Sequence, residues 1–277
     1  MPETVLDTGA WLIALAAILL AAVAAWVVSV IRRDVSIVDS LWSLLILLGL
    51  VAYIVASGAA GARAWLVTAL VAAWALRLSI YITVRNHGQA EDRRYQAIRH
   101  NNEPHFWLKS LYIVFLLQGF LAWVVCLPAI AAVSAQNPSG PLASPWAALL
   151  TGLGLALWLI GMFFETVGDW QLARFRRDRK SADAVLDTGL WRFTRHPNYF
   201  GEALLWWGIY LVALSAGAWW AFIGPLLLTF LLLRVSGVAL LEKDISARRP
   251  AYREYVRRTN AFFPWPPRPL PQAADGV

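Results

Sequence analysis

The sequence predicts an all-α, polytopic membrane protein with seven transmembrane helices. Three observations carry this. Hydrophobic residues make up 59% of the 277 residues and charged residues only 15%, with a mean hydropathy of +0.56; soluble domains are far less apolar. Apolar runs long enough to span a bilayer, which takes ~20 residues per helix, recur along nearly the whole chain. Of the 24 Lys and Arg residues, 21 fall in segments that alternate to one side of those runs.

Taken in order, the first span is Trp11–Ile31, closed by Arg32 and Arg33. Ser36–Ala56 follows, with Asp39 about one turn inside it. Ala64–Val84 carries Arg77, and Arg85, Arg93, Arg94, Arg99 and Lys109 lie between or beside it and the fourth span, Leu108–Ser134. Trp146–Asp169 ends with Glu165 and Asp169, an i, i+4 pair on one helix face. Seven basic residues from Arg174 to Arg195 precede Gly201–Gly217. That sixth run is short, and its break from Trp219–Leu241 rests on Ser215-Ala216-Gly217, so six or eight spans stay open. Seven more basic residues, Lys243 to Arg268, follow the last span. Positive charge marks the cytoplasmic side, which puts the N-terminus outside and the C-terminus in the cytoplasm; an odd span count fits. Trp11, Trp65, Trp107, Trp146 and Trp219 sit near span ends, as interfacial anchors do. Met1–Ala10 lacks a basic n-region, so no cleavable signal is expected. The Pro-rich Pro264–Pro271 is expected to end the ordered domain.

Several classes fall away. The net charge of +7 follows from topology and attraction to anionic lipid headgroups. No nucleic-acid recognition module accompanies the basic loops, so nucleic acid is not an expected partner. Cys126 is the only cysteine, and His87, His100, His105 and His196 lack metal-ligand spacing, so no metal is expected. Neither a dinucleotide G-x-G-x-x-G nor a Walker pattern occurs. No obligatory protein partner is evident.

Asp39, Arg77, Glu165, Asp169, Glu202, Arg234 and Glu242 intrude on the spans, all toward the cytoplasmic end. Charge in lipid is expensive and marks function, although single residues also snorkel or form structural pairs. The set fits a polar chamber open to one compartment. Glu91-Asp92-Arg93-Arg94-Tyr95, Arg174–Lys180 and Gly189–Glu202 border it. Arginine forks suit phosphate, and Pro197 at a helix start leaves free N–H groups for an anion. A soluble, phosphate-bearing cofactor fits these loops; an ordinary solvated basic loop is the plainer alternative.

These residues resemble a known family. Gly161 with Asp169, Gly189-Leu190-Trp191, Asn198-Tyr199-Phe200-Gly201-Glu202, Arg234 and Tyr252-Arg253-Glu254-Tyr255 to Phe263-Pro264 are similar to the C-terminal region of steroid 5α-reductases and their bacterial relatives. Val38–Trp42, Trp74–Leu78 and Glu91–Tyr95 resemble the bacterial branch. The resemblance implies one seven-helix reductase domain over residues 1–267, with the substrate pocket mainly in 11–134, a cofactor region in 146–267 and a tail at 268–277. It implies NADPH-dependent reduction of the C4–C5 double bond of a 3-oxo-Δ4 steroid or related enone lipid entering from the bilayer. The implied cofactor residues are Arg77, Tyr81, Arg85, Arg94, Tyr95, Glu165, Asp169, Arg176, Arg192, His196, Asn198, Tyr199, Glu202 and Arg234. Where the steroid enzymes have a Gln-Glu pair and a Tyr near the ketone, this chain has Asp39 with Ser36 one turn away, and Trp74. Indole donates a hydrogen bond but no proton, so Asp39, held neutral by burial, is the expected acid. Where they have His and Tyr on the last helix, this chain has Val238 and Glu242. The expected location is the inner membrane of a bacterium, or the endoplasmic reticulum of a eukaryote, with the site facing the cytosol.

A second resemblance points elsewhere. Arg195-His196-Pro197-Asn198-Tyr199-Phe200-Gly201 is similar to a segment of isoprenylcysteine carboxyl methyltransferases and phospholipid methyltransferases, which use S-adenosylmethionine. Those enzymes carry a Glu-Glu pair after the last span, where this chain has Glu242-Lys243. A transporter is a third reading, opposed by charges gathered at one face and by the lack of an inverted repeat.

Overall fold

A computed structural model describes residues 6–134, 144–179, 181, 183–235, 237–238 and 251–269. Among them the regular structure is helical: α1 (Thr8–Arg32), α2 (Ile37–Ser57), α3 (Ala62–Asn86), α4 (Arg93–Asn102), α5 (Phe106–Val125), α6 (Leu127–Ser134), α7 (Pro145–Asp178), α8 (Pro197–Ser215), α9 (Trp219–Val235) and α10 (Ala251–Arg258). Five of these, α1, α2, α3, α5 and α7, are long and apolar enough to cross a membrane. The chain divides into two compact units, Met1–Leu153 with Ile209–Gly224, and Gly154–Gly208 with Pro225–Val277.

In the first unit, Asp7 caps α1 by accepting from the Ala10 N–H at 2.9 Å. Ala10, Ala14, Ile18, Ala22, Ala25 and Ser29 form its buried stripe, small residues at helical spacing that let neighbours approach closely. A Cβ on Gly49 of α2 would lie 2.6 Å from Ile18 Cδ1, and one on Gly119 of α5 would lie 3.3 Å from Ile18 Cγ2. Glycine is therefore what seats Ile18 between the two helices. The other face of α1 shows Leu12, Ile13, Leu20 and Ile31 outward, as a lipid-facing helix does. Ser43 of α2 donates to the Ala75 carbonyl of α3 at 2.9 Å. Tyr53 joins α2 to Ser134 at the end of α6 through a 2.6 Å hydroxyl pair.

The fourth span differs from expectation. Leu108–Ser134 is not one helix: α5 ends at Val125 and α6 starts at Leu127. Pro128 has no N–H for the Val124 carbonyl and its ring crowds that turn. Within α5, Leu111–Leu116 is wound as a π-helix.

Helix α7 runs 34 residues and belongs to the second unit from Gly154 onward. The basic stretch expected as a loop after Asp169 is thus partly helix, with Arg174, Arg176 and Arg177 on its last turns. Helices α7 and α8 meet through paired glycines. A Cβ on Gly161 would lie 2.6 Å from the Gly201 carbonyl, one on Gly201 would lie 2.5 Å from the Glu165 nitrogen, and one on Gly208 would lie 2.5 Å from the Gly154 carbonyl. No side chain fits there, so the backbones touch. The expected seventh span, Trp219–Leu241, is described only as far as Val235 within α9.

The end of the chain also departs from expectation, because order continues past Pro264. Trp265 N–H donates to the Phe193 carbonyl and Arg268 N–H to the Arg258 carbonyl, both at 2.9 Å. Thr194 Oγ1 donates to the Phe262 carbonyl at 2.8 Å. Arg195 Nη1 donates to the carbonyls of Val256 and Thr259, and Tyr255 Oη to that of Trp191. Two of these bonds satisfy the Val256 and Arg258 carbonyls in the last turn of α10, and the rest tie the final segment to the turn that precedes α8.

Candidate functional site

Each unit gathers one polar cluster. In the first unit the cluster centres on Asp39, in the first turn of α2. Arg94 Nη2 donates to Asp39 Oδ2 and Tyr95 Oη to Asp39 Oδ1, both at 2.6 Å. Both partners come from α4, which Asp92 caps by accepting from the Arg94 N–H at 2.9 Å. The Asp92 carboxylate also accepts from Arg94 Nε at 3.0 Å. Gln118 Nε2 of α5 donates to Tyr95 Oη at 3.0 Å. The π-wound turn lies just before Gln118; such turns hold an extra residue and re-aim the side chains that follow.

Electrostatics follow from this wiring. Burial pushes the Tyr95 phenol well up, and the neighbouring Asp39 charge pushes the same way. Burial opposes the Arg94 charge, but Asp39 and Asp92 outweigh it and hold its proton more tightly. Burial also opposes the Asp92 charge, yet Arg94 and Arg85 bring its carboxyl below the ordinary value.

Sequence reasoning expected Asp39 as a neutral donor. Here both of its oxygens accept, Oδ2 from the Arg94 guanidinium and Oδ1 from the Tyr95 hydroxyl. Ser36, the other expected catalytic residue on α2, binds Asp34 through its hydroxyl and N–H. Trp74 is fully buried on α3, edge-on to Trp42 at 6.4 Å. Arg77, Tyr81 and Arg85 do share a face of α3, with the Tyr81 ring 6.0 Å from the Arg77 guanidinium and 5.8 Å from that of Arg85.

In the second unit, the glycine contact brings Glu165 and Asp169 of α7 beside Asn198 and Glu202 of α8. Glu165 is 1% exposed, Asp169 3% and Glu202 8%. Asn198 Nδ2 donates to Asp169 Oδ1 at 3.1 Å, while Asn198 Oδ1 is buried with no hydrogen-bond partner among the described residues. Trp191 Nε1 donates to the Gly168 carbonyl at 3.1 Å, and Leu190 N–H to Gln171 Oε1 at 3.0 Å. These two bonds fasten the Gly189–Arg192 turn to α7. His196 is buried and stacks on Tyr199 with 5.4 Å between centroids.

Arg176, Arg192 and Arg234 are exposed. Arg192 borders a cavity of 290 Å³ shared with Asp183, Asp187, Glu254 and Arg258. Glu242 and Lys243 lie outside the described residues.

Two contributors escaped the sequence reading: Gln118 and Gln171. Gln118 had left a signal, as a lone amide within an apolar span. Gln171 had none, since its role depends on where a loop returns.

Fold and site together define a class, a helical protein with membrane-spanning helices and buried charged clusters. The chain belongs to the family described as "Protein of unknown function (DUF1295)", which matches residues 25–259. It is 27% identical over 271 residues to the uncharacterized protein C594.04c of Schizosaccharomyces pombe, covering 86% of this chain and 75% of that one. A shorter stretch of 66 residues is 35% identical to the 3-oxo-5-alpha-steroid 4-dehydrogenase 1 of Bos taurus, covering 24% of this chain and 26% of the bovine protein. No solved structure matches.

Proposed function

We propose that this protein is an NADPH-dependent membrane reductase that saturates the carbon–carbon double bond of a steroid-like enone taken from the bilayer. The observation that carries this reading is the buried Asp169–Asn198 pair flanked by Glu165 and Glu202, within a chain partly similar to a 3-oxo-5-alpha-steroid 4-dehydrogenase. In this reading the chain has seven spans, with α8 and α9 as the last two and the C-terminus cytoplasmic.

The residues fit such a cofactor. Carboxylates accept from ribose hydroxyls, and the unpartnered Asn198 Oδ1 offers an acceptor to an amide or hydroxyl donor. The exposed guanidinium groups of Arg176, Arg192 and Arg234 offer planar forks to phosphates. When bound, NADPH supplies a hydride to the enone β-carbon. The chain's own residues orient the reactants and handle the proton. Tyr95, kept protonated by burial, turns its one O–H from Asp39 to the carbonyl oxygen as charge develops there. Gln118 holds the phenol oxygen in place through that exchange, and Arg94 balances the Asp39 charge. One hydride and one proton together give the saturated ketone.

The test is ligand-dependent thermal stabilisation of the detergent-purified protein, followed by an NADPH oxidation assay with 3-oxo-Δ4 steroids and product identification. Stabilisation by NADPH with a saturated product is expected. Stabilisation by S-adenosylmethionine but not NADPH would assign the chain to the methyltransferases.

A further inference from the structure

We infer that the C-terminal strap, Phe262–Arg268, is a membrane-interface anchor that binds anionic phospholipid headgroups. The strap carries two large exposed aromatics, Phe263 at 69% and Trp265 at 67%. A soluble loop held by main-chain bonds has no need to hold such side chains out. The Trp265–Phe193 bond brings the exposed Phe193 beside Trp265.

This apolar surface continues onto a helix of membrane-spanning length. Phe263 contacts Phe200 of α8 at 6.2 Å between centroids, Phe200 contacts Phe164 of α7 at 5.2 Å, and Phe164 contacts Phe163 at 5.9 Å. Phe163 is itself exposed on α7, as are Leu159 and Ile160. Seven residues on, and so on the same face, exposed Trp170 lies 5.7 Å from the Arg174 guanidinium. Aromatics beside arginines at the end of an apolar face mark the headgroup level of a bilayer.

Charge selects the lipid. Residues 251–269 contain Arg253, Arg257, Arg258 and Arg268 against one acid, Glu254, which lies 3.7 Å from Arg258, while Asp183 and Asp187 share the cavity that Arg258 lines. The Arg268–Arg258 backbone bond holds two of these arginines at the strap. A cationic rim around exposed aromatics matches a negatively charged leaflet and gives no reason for a neutral one.

The experiment places a fluorescent NBD label on Phe263→Cys, and separately on Trp265→Cys, in a Cys126→Ala background that removes the buried native thiol. Each protein goes into nanodiscs of phosphatidylcholine with or without phosphatidylglycerol, where both faces stay open to solvent. The expected result is quenching by shallow nitroxide lipids, stronger with phosphatidylglycerol, and protection from aqueous dithionite. Arg258→Gln and Arg268→Gln should each shift the inserted-to-released ratio about fivefold toward release. Rapid dithionite reduction in both lipids would overturn the anchor. Lipid contact indifferent to headgroup charge and to both arginine substitutions would overturn the anionic ligand. Protection in detergent that rises with protein concentration would assign the surface to a second copy and overturn the proposal as well.

Discussion

Tyr95 shows how one side chain can be given a role by its neighbours. Burial keeps the phenol protonated, Asp39 accepts its proton, and Gln118 occupies a lone pair. Tyr95→Phe is expected to lower kcat of the proposed reductase by about 10²–10⁴-fold, the usual worth of a positioned acid, while NADPH affinity changes little; steady-state kinetics beside a binding titration would check both. Asp92 sets a pH limit. Its folded carboxyl sits below the ordinary value, so its contribution is complete above the unfolded value and fades as pH falls through the folded one. Thermal unfolding scans at pH 6 down to about pH 3 should show that loss around the usual aspartate range of about 4, with a flatter acid limb in Asp92→Asn. Arg63 is a different case. It is 6% exposed in the first turn of α3, and its three guanidinium nitrogens are buried without a hydrogen-bond partner among the described residues. Arg63→Met should raise the unfolding midpoint, because an unsatisfied buried donor costs about 1–3 kcal/mol.

Among elements, the crossing of α7 and α8 decides the second cluster. Its spacing was legible, since Gly154 and Gly161 are seven apart, as are Gly201 and Gly208, and small residues mark close helix pairs in membranes. Gly201→Ala would force a methyl group against the Glu165 backbone. Overpacking of that kind costs about 1–3 kcal/mol; the variant should unfold earlier, and NADPH should stabilise it less than wild type. The Arg195 contacts were not legible. The R-H-P-x-Y segment reads as ligand chemistry, yet the Arg195 guanidinium reaches main-chain carbonyls after α10. Likewise, Leu108–Ser134 reads as one apolar run, yet the structure breaks it into α5 and α6 just before Pro128.

For the whole molecule, charge asymmetry remains the best guide to orientation. In the Cys126→Ala background, a cysteine at Arg268 should react with an impermeant maleimide only when the cytoplasmic face is opened, and one at Trp65 only from the opposite side. Labelling of both from one side would overturn the proposed topology.

The sequence by itself determined an all-helical chain with bilayer-length apolar segments, because burying backbone polar groups in lipid leaves helices few rivals. It also singled out Asp39, Glu165, Asp169 and Glu202, because charge within an apolar run stands out. Only the tertiary structure decided which charges meet. Asp39 finds Arg94 and Tyr95 more than fifty positions away, and Asp169 finds Asn198 across a glycine contact. Such pairings depend on how loops return and how closely helices approach, and hydropathy records neither.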